Sequence, residues 1–151
     1  MDFVQDPCRE MMDSLDETPI SLHIRRKDYV TNPNHTALGI DYYEKALKEV
    51  PTIHDSCTLP VLVFSDDPEW CKEQELFADD RFMIAEDNSG WTDMCLMTMC
   101  SHHIIANSSF SWWGAWLADS KKVIAPTGWF AGSNLEHLDT KDLIPEDWIV
   151  I

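Results

Sequence analysis

The sequence has 151 residues, 44% of them hydrophobic, with seven Trp and six Phe, so it can form one domain around a single core and is not a disordered tail. Its 27 Asp and Glu against 11 Lys and Arg give a net charge of −16, which predicts repulsion from nucleic acid and anionic membranes. It has no apolar run near the ~20 residues needed to cross a bilayer and no basic stretch leading into an apolar one at its start, so it predicts neither a membrane span nor a signal peptide.

The elements begin with an acidic segment, 1–19, which predicts a solvated helix, and a domain follows at 20–151. Hydrophobic alternation predicts a strand over 20–25, and the continuously apolar 61–64 is typical of a strand buried on both faces. The predicted strands are 20–25, 61–64, 82–85, 103–106 and 123–125, and the predicted helices are 41–50, 67–77, 92–100 and 109–120.

This alternation of short strands with helices predicts an α/β fold, a Rossmann-like parallel sheet of about five strands with helices on both faces. In such sheets ligands bind at the carboxyl ends of the strands. We therefore look for chemistry at the residues that follow each strand.

Three consecutive basic residues, Arg25, Arg26 and Lys27, follow the first strand. A guanidinium matches phosphate oxygens bidentately, so this cluster indicates an anion site. Strand alternation places His23 and Arg25 on one face of the sheet and Arg26 on the other. The alternative is a surface turn whose cations pair with Asp28 and other carboxylates.

The segment 106–111 joins a strand to a helix and includes Ser108, Ser109 and Phe110. The first amides of a helix and its dipole form an anion site, and small hydroxyl residues allow a phosphate to approach closely. The alternative is plain N-capping by Asn107 or Ser108 without a ligand.

Asp93 begins the preceding helix, where its carboxylate could accept from the adjacent N1–H and amino donors of guanine. The alternative is an acidic residue that interacts favourably with the helix dipole. We interpret Asp66 and Asp67 as turn and cap residues.

Trp112, Trp113 and Trp116 on one helix are more typical of core packing than of a sugar platform, and Gly114 predicts close packing against the sheet. The five cysteines include no C-x-x-C, which favours buried thiols in a reducing compartment. The spacing of Cys95 and Cys100 does not suit a shared ion, and no D-x-D occurs, so we predict no metal site and no cofactor.

These motifs resemble those of the α-1,2-fucosyltransferases, glycosyltransferase family eleven. The resemblance runs from about residue 20 to the end and rests on 23–29 (HIRRKDY), 64–67 (FSDD), 93–117 (DMCLMTMCSHHIIANSSFSWWGAWL), 123–126 (VIAP) and 129–130 (WF). It implies the carboxyl-terminal half of a GT-B-type fold, which binds GDP-fucose without metal and transfers fucose to a galactose 2-hydroxyl with inversion.

The resemblance also implies residue roles. His23 and Asp93 are expected to contact guanine. Arg25 is expected to bind the β-phosphate with support from Arg26, and the backbone and hydroxyl groups of Ser108, Ser109 and Phe110 are expected to line the phosphate site. Arg25, Arg26 and Asp28 are the predicted catalytic residues, with Asp28 a candidate general base and a base outside this chain the alternative.

The sequence departs from the family in two ways. Lys27 stands where the family usually has Gly, and the glycine-rich segment that begins the family's amino-terminal half is not found. We therefore expect a fragment whose galactoside-acceptor side comes from a missing half or a partner chain. Alternatives are a non-catalytic GDP-sugar-binding module and a different nucleotide-sugar transferase. The expected location is a bacterial cytoplasm, with peripheral membrane association, or the Golgi if the source is an animal.

Overall fold

The computed structural model describes residues 5–50, 58–131 and 137–151. The helices are α1 Gln5–Asp13, α2 Ile40–Glu49, α3 Pro68–Lys72, α4 Gly90–Thr98 and α5 Ser109–Leu117, with short 3₁₀ helices at Lys27–Val30 and Glu75–Phe77. The strands are β1 Ile20–Ile24, β2 Val61–Ser65, β3 Phe82–Ile84, β4 His102–Ile104, β5 Lys122–Ala125 and β6 Ile149–Val150. The division into a segment 1–19 and a domain 20–151 stays a prediction.

The six strands form one sheet in the order β3-β2-β1-β4-β5-β6, and every pairing is parallel. Ile20 of β1 lies opposite Val61 of β2 and His102 of β4. Because the strand order reverses between β1 and β4, their carboxyl ends diverge and open a crevice there. The predicted Rossmann-like fold is confirmed. It brings the end of β1 close to the start of α5 in space.

Helices cover both faces of the sheet, as predicted. The even-numbered apolar residues of β1 pack with α2 on one face of the sheet, and the even-numbered apolar residues of β2 pack with α4 and α1 on the other face. The first cluster includes Ile20, Leu22, Ile24, Tyr43 and Ala46, the second Cys8, Leu62, Phe64, Leu96 and Met97, and a third, under α5, includes Ile105, Ala115 and Val123. The site therefore stands on strands that are buried on both sides.

The predicted helix 67–77 is wrong as one element, because it is divided. Asp67 caps α3 by accepting from the Trp70 N–H at 3.3 Å, as expected. Gln74 is extended, with ψ of 127°, and a 3₁₀ helix follows it. The two-residue strand β6 was not predicted, because a strand this short shows no alternation.

Gly114 packs against a helix and not against the sheet, contrary to the prediction. A Cβ at this position would lie 2.8 Å from Sδ of Met97, so Gly114 allows α5 to approach α4 closely. The core interpretation of the aromatic stripe holds for Trp112, whose indole donates to the Leu143 carbonyl at 2.8 Å. Trp113 and Trp116 are 50% and 54% exposed.

Candidate functional site

A pocket of about 200 Å³ opens at the carboxyl end of the sheet, beside the switch between β1 and β4. Its walls come from the ends of β1 and β2 and the first turns of α4 and α5. The lining residues are His23, Arg25, Phe64, Ser65, Asp66, Asp93 and Phe110. The fold therefore brings four of the predicted site residues together, from three separate parts of the chain.

His23 forms the buried floor of this pocket. The residue is 5% exposed, and its ring is tilted against that of Phe110 with centroids 5.6 Å apart. Burial, with a smaller contribution from the charge of Arg25, lowers the pKa of His23 to about 3. The imidazole is therefore neutral at physiological pH. Its Nδ1 is buried and has no hydrogen-bond partner within the part of the chain that the structure describes.

Arg25 carries the cation of the pocket and contacts two carboxylates. Its Nη2 donates to Asp28 Oδ1 at 2.7 Å, and its Nη1 lies 3.4 Å from Asp66 Oδ2. The guanidinium also lies 5.3 Å from the centre of the Tyr29 ring. The carboxylates of the alternative interpretation are therefore present, and they hold the arginine at the pocket.

Arg26 follows β1 and lies on the side of the sheet opposite the pocket, as the strand alternation predicted. Its guanidinium stacks 3.9 Å from the Trp70 ring centre, and its Nε lies 3.5 Å from Asp67 Oδ2. It is not among the residues that line the pocket. Its geometry suits support of the neighbouring loop more directly than contact with a ligand.

Asp66 was missed as a site residue by the sequence interpretation, which made it a turn residue. Its Oδ1 accepts from the Arg26 N–H at 2.9 Å, and its side chain is only 16% exposed in the pocket wall. A signal was present, because an acidic pair follows β2 at the same sheet edge as the basic residues that follow β1. Adjacent strand ends of opposite charge predict a contact only once the strand order is known.

Asp93 faces the pocket from the first turn of α4. Burial raises the pKa of Asp93, and a hydrogen bond donated by Asn88 Nδ2 at 3.0 Å acts in the opposite direction. A half-buried carboxylate with remaining acceptor capacity can receive hydrogen bonds from a ligand.

The start of α5 does not show the plain side-chain cap of the alternative interpretation. Ser108 occupies the N-cap position but makes no side-chain cap bond, and Ser109 is exposed beyond the pocket wall. Asn107 instead donates to the carbonyls of Thr36 and Trp129, each at 3.2 Å. The first amides of α5 are therefore not bonded by a capping side chain, which leaves them available to an anion.

A larger cavity of about 570 Å³ lies at the other end of the sheet, between α2 and β3. Its walls include Leu47, Leu76 and Phe82, beside Arg81. It lies at the amino ends of the strands, where doubly wound sheets do not bind their ligands, so size alone does not identify the site. No group of three or more potential metal ligands occurs in 5–50, 58–131 and 137–151.

The family model described as Glycosyl transferase family 11 matches residues 4–151. The chain belongs to glycosyltransferase family 11. This confirms the resemblance that the motifs indicated, and the match extends it into the acidic segment, which contains α1.

Several curated relatives are similar to this chain. It is 43% identical over 141 residues to an alpha-1,2-colitosyltransferase of Escherichia coli, covering 87% of this chain and 47% of the relative. It is 40% identical over 126 residues to the O-antigen biosynthesis glycosyltransferase WbnK of Escherichia coli, covering 78% of this chain and 41% of the relative. A galactoside alpha-(1,2)-fucosyltransferase 1 of Leontocebus fuscicollis is 31% identical over 114 residues, covering 70% of this chain and 30% of the relative.

The chain thus spans less than half the length of these curated relatives. Within the described residues, no helix has both the length and the apolar character that a membrane crossing requires.

Proposed function

We propose that this chain is the donor-binding part of a galactoside α-1,2-fucosyltransferase, which transfers fucose from GDP-fucose to a galactose 2-hydroxyl with inversion and without a divalent ion. The observation that carries the proposal is the pocket at the switch point. It combines a neutral imidazole, a guanidinium and a half-buried carboxylate in a member of this glycosyltransferase family.

Guanine recognition is assigned to Asp93 and His23. A carboxylate accepts from the N1–H and the 2-amino group of guanine together, and a neutral imidazole has one donor and one acceptor nitrogen. The low pKa of His23, about 3, keeps the imidazole neutral, and its unpartnered Nδ1 supports a polar contact with the base. The volume of about 200 Å³ is below the 300–1,000 Å³ typical of ligand pockets, so the pocket suits one part of the donor.

The diphosphate is assigned to Arg25 and the start of α5. The guanidinium supplies a charged fork, and the amides of Ser108, Ser109 and Phe110 supply donors at the positive end of the helix dipole. Arg26, stacked on Trp70, supports the loop from behind. Each well-placed donor toward the charge that develops on the leaving phosphate contributes about 3 kcal/mol of transition-state stabilisation.

In the displacement, the galactose 2-hydroxyl oxygen forms a bond to the fucose anomeric carbon as the bond to the β-phosphate oxygen breaks, so GDP leaves with the electron pair. A base takes the hydroxyl proton. Asp28 is the proposed base, because its carboxylate is 56% exposed and lies 2.7 Å from the guanidinium that would hold the phosphate. A base from outside this chain is the alternative.

We further propose that the acceptor-binding groups belong to a part of the protein that this chain does not include. The coverage of only 41% and 47% of two bacterial relatives supports this. The higher identity to the Escherichia coli relatives than to the primate one supports a bacterial cytoplasmic location over the Golgi.

Calorimetry with the wild type and Arg25→Ala tests the donor assignment. We expect GDP to bind the wild type and its affinity for the variant to fall about 100-fold, as for loss of a charged hydrogen-bonding partner. Thermal shifts with GDP, UDP and ADP should favour GDP, because the Asp93 assignment requires guanine. Equal affinity of both proteins for GDP would sink the assignment. Incubation with GDP-fucose and lactose then separates transfer from binding alone.

The relative that is 43% identical to this chain is named an alpha-1,2-colitosyltransferase, and this name favours colitose as a second candidate for the transferred sugar. GDP-colitose would make the same guanine and phosphate contacts as GDP-fucose. Only a comparison of the two donors in transfer therefore distinguishes the two functions. Transfer from GDP-colitose at a kcat/KM above that from GDP-fucose would assign the chain to colitosyl transfer, and the reverse result would assign it to fucosyl transfer.

A further inference from the structure

The guanidinium of Arg25 contacts two carboxylates that are held very differently. Asp66 is 16% exposed, and its Oδ1 is fixed by the Arg26 N–H at 2.9 Å while its Oδ2 lies 3.4 Å from Arg25 Nη1. Asp28 is 56% exposed and lies three residues along the chain from Arg25. One partner therefore belongs to the wall of the pocket, and the other faces solvent.

This asymmetry decides which contact an incoming anion can displace. An exposed ion pair contributes little, because water screens it and two side chains lose freedom to form it. The Asp66 contact is shielded from water, and its carboxylate has no freedom to leave, because the same side chain accepts from the backbone N–H of Arg26, just after β1. An anion therefore displaces Asp28 more easily than Asp66.

We infer that Arg25 exchanges Asp28 for the phosphate of the donor while keeping Asp66, which makes Asp66 a positioning residue and Asp28 a competitor of the donor. This inference rests on the proposed function. The guanidinium has five donors in a fixed fork, so it can hold Asp66 through Nη1 and a phosphate through Nη2 together. Donor binding then frees the Asp28 carboxylate, which becomes available to accept the proton of the acceptor hydroxyl.

Two isosteric substitutions have opposite expected effects on GDP affinity, measured by calorimetry. Asp28→Asn removes the competitor and should raise the affinity about two- to fivefold, the range of an exposed ion pair. Asp66→Asn keeps an acceptor for the Arg26 N–H but removes the charge that aims Arg25. The guanidinium then turns to Asp28, and the affinity should fall about tenfold, within the range of coupled neighbours. The double variant should recover part of that loss.

Matched controls separate positioning from a general charge effect. Asp139 has the same bonding pattern on the surface: its Oδ1 accepts from the Lys141 N–H at 3.0 Å, and its Oδ2 lies 3.6 Å from Lys141 Nζ. Asp139→Asn, with the same change in net charge, should leave GDP affinity unchanged. Guanosine, which lacks the phosphates, should bind the wild type and these four variants equally.

The outcomes distinguish this inference from the proposed function. If Arg25→Ala does not weaken GDP binding, the proposed function fails. If Arg25→Ala weakens it but Asp28→Asn and Asp66→Asn shift it in the same direction, the two carboxylates do not have opposite roles and the inference is overturned. An unchanged affinity in Asp28→Asn also overturns it, and this variant decides the matter if Asp66→Asn does not fold.

Discussion

Two buried histidines in the sheet, His103 and His23, differ in how completely their ring nitrogens are hydrogen-bonded. His103, in β4, is satisfied on both ring nitrogens: Nε2 lies 2.8 Å from the Met97 carbonyl and Nδ1 lies 2.9 Å from the Ser120 hydroxyl. His23, near the carboxyl end of β1, leaves Nδ1 without a partner among the described residues. A buried polar group with complete bonding stabilises a fold, whereas an incomplete one in a pocket wall retains capacity for a ligand. The comparison indicates a structural role for His103 and supports the binding role proposed for His23.

After Arg25→Ala, the largest expected effect is on nucleotide binding, at Asp93. Asp93→Asn replaces a carboxylate that accepts two guanine donors with an amide that cannot accept both, so GDP affinity should fall about 10- to 100-fold. The wild type should also prefer GDP to inosine diphosphate, which lacks the 2-amino group, and the variant should lose this preference. Calorimetry with both nucleotides measures the ratio. A preference that persists in Asp93→Asn would remove Asp93 from guanine recognition.

The next effect belongs to the stability side. His103→Ala removes one buried and one partly buried hydrogen bond and should lower the free energy of unfolding by about 2 kcal/mol while leaving GDP affinity unchanged. His23→Ala is the matched variant. Because the structure describes no hydrogen bond at its Nδ1, this substitution should lower the free energy of unfolding less than His103→Ala does, and it should weaken GDP binding. Urea unfolding and calorimetry on both variants provide the comparison. If His103→Ala and His23→Ala lowered the free energy of unfolding equally, the distinction between the two histidines would be contradicted.

Acid should destabilise the protein through its buried imidazoles, among them those of His23 and His103. Burial lowers the pKa of His23 to about 3 and that of His103 to about 4, from an ordinary value of 6.5. The unfolded chain therefore binds protons below pH ~6.5 that the folded chain does not, and each imidazole contributes a loss of up to ~1.4 kcal/mol per pH unit until its folded pKa is reached. His103→Gln should remove one imidazole's share of this slope. Urea titrations at several pH values from 7 to 5 measure it, and identical slopes would contradict the assignment.

The smallest effect is expected where α4 meets α5, the two helices whose first turns line the pocket. In Gly114→Ala, the new methyl group would lie 2.8 Å from Met97 Sδ and 3.1 Å from its Cβ. Overpacking costs about 1–3 kcal/mol and the gain in helix propensity offsets about 1 kcal/mol, so a net loss of about 1 kcal/mol is expected in thermal unfolding. A rise in Tm would show that the flexible Met97 side chain moves aside and that propensity wins.

Much of the binding side was predictable from the sequence, because its signals are local. Alternation along 20–25 correctly placed His23 and Arg25 on one face, and Asp67 was correctly expected to cap a helix. The contact between Asp66 and Arg26 joins residues 40 positions apart and depends on β1 pairing with β2, which no local pattern states. The roles of Ser108, Ser109 and Asp28 stay predictions.

By itself, the sequence determined the class of fold, the strands of the core and the family, because hydrophobic period and motif spacing are properties of neighbours along the chain. Only the tertiary structure decided the partners: Asp66 for Arg25, Trp70 for Arg26, Met97 for Gly114 and β6 as the sheet's last strand. Strand order and helix packing bring these groups together from distant parts of the chain, and their contacts exist only after the whole sheet has assembled.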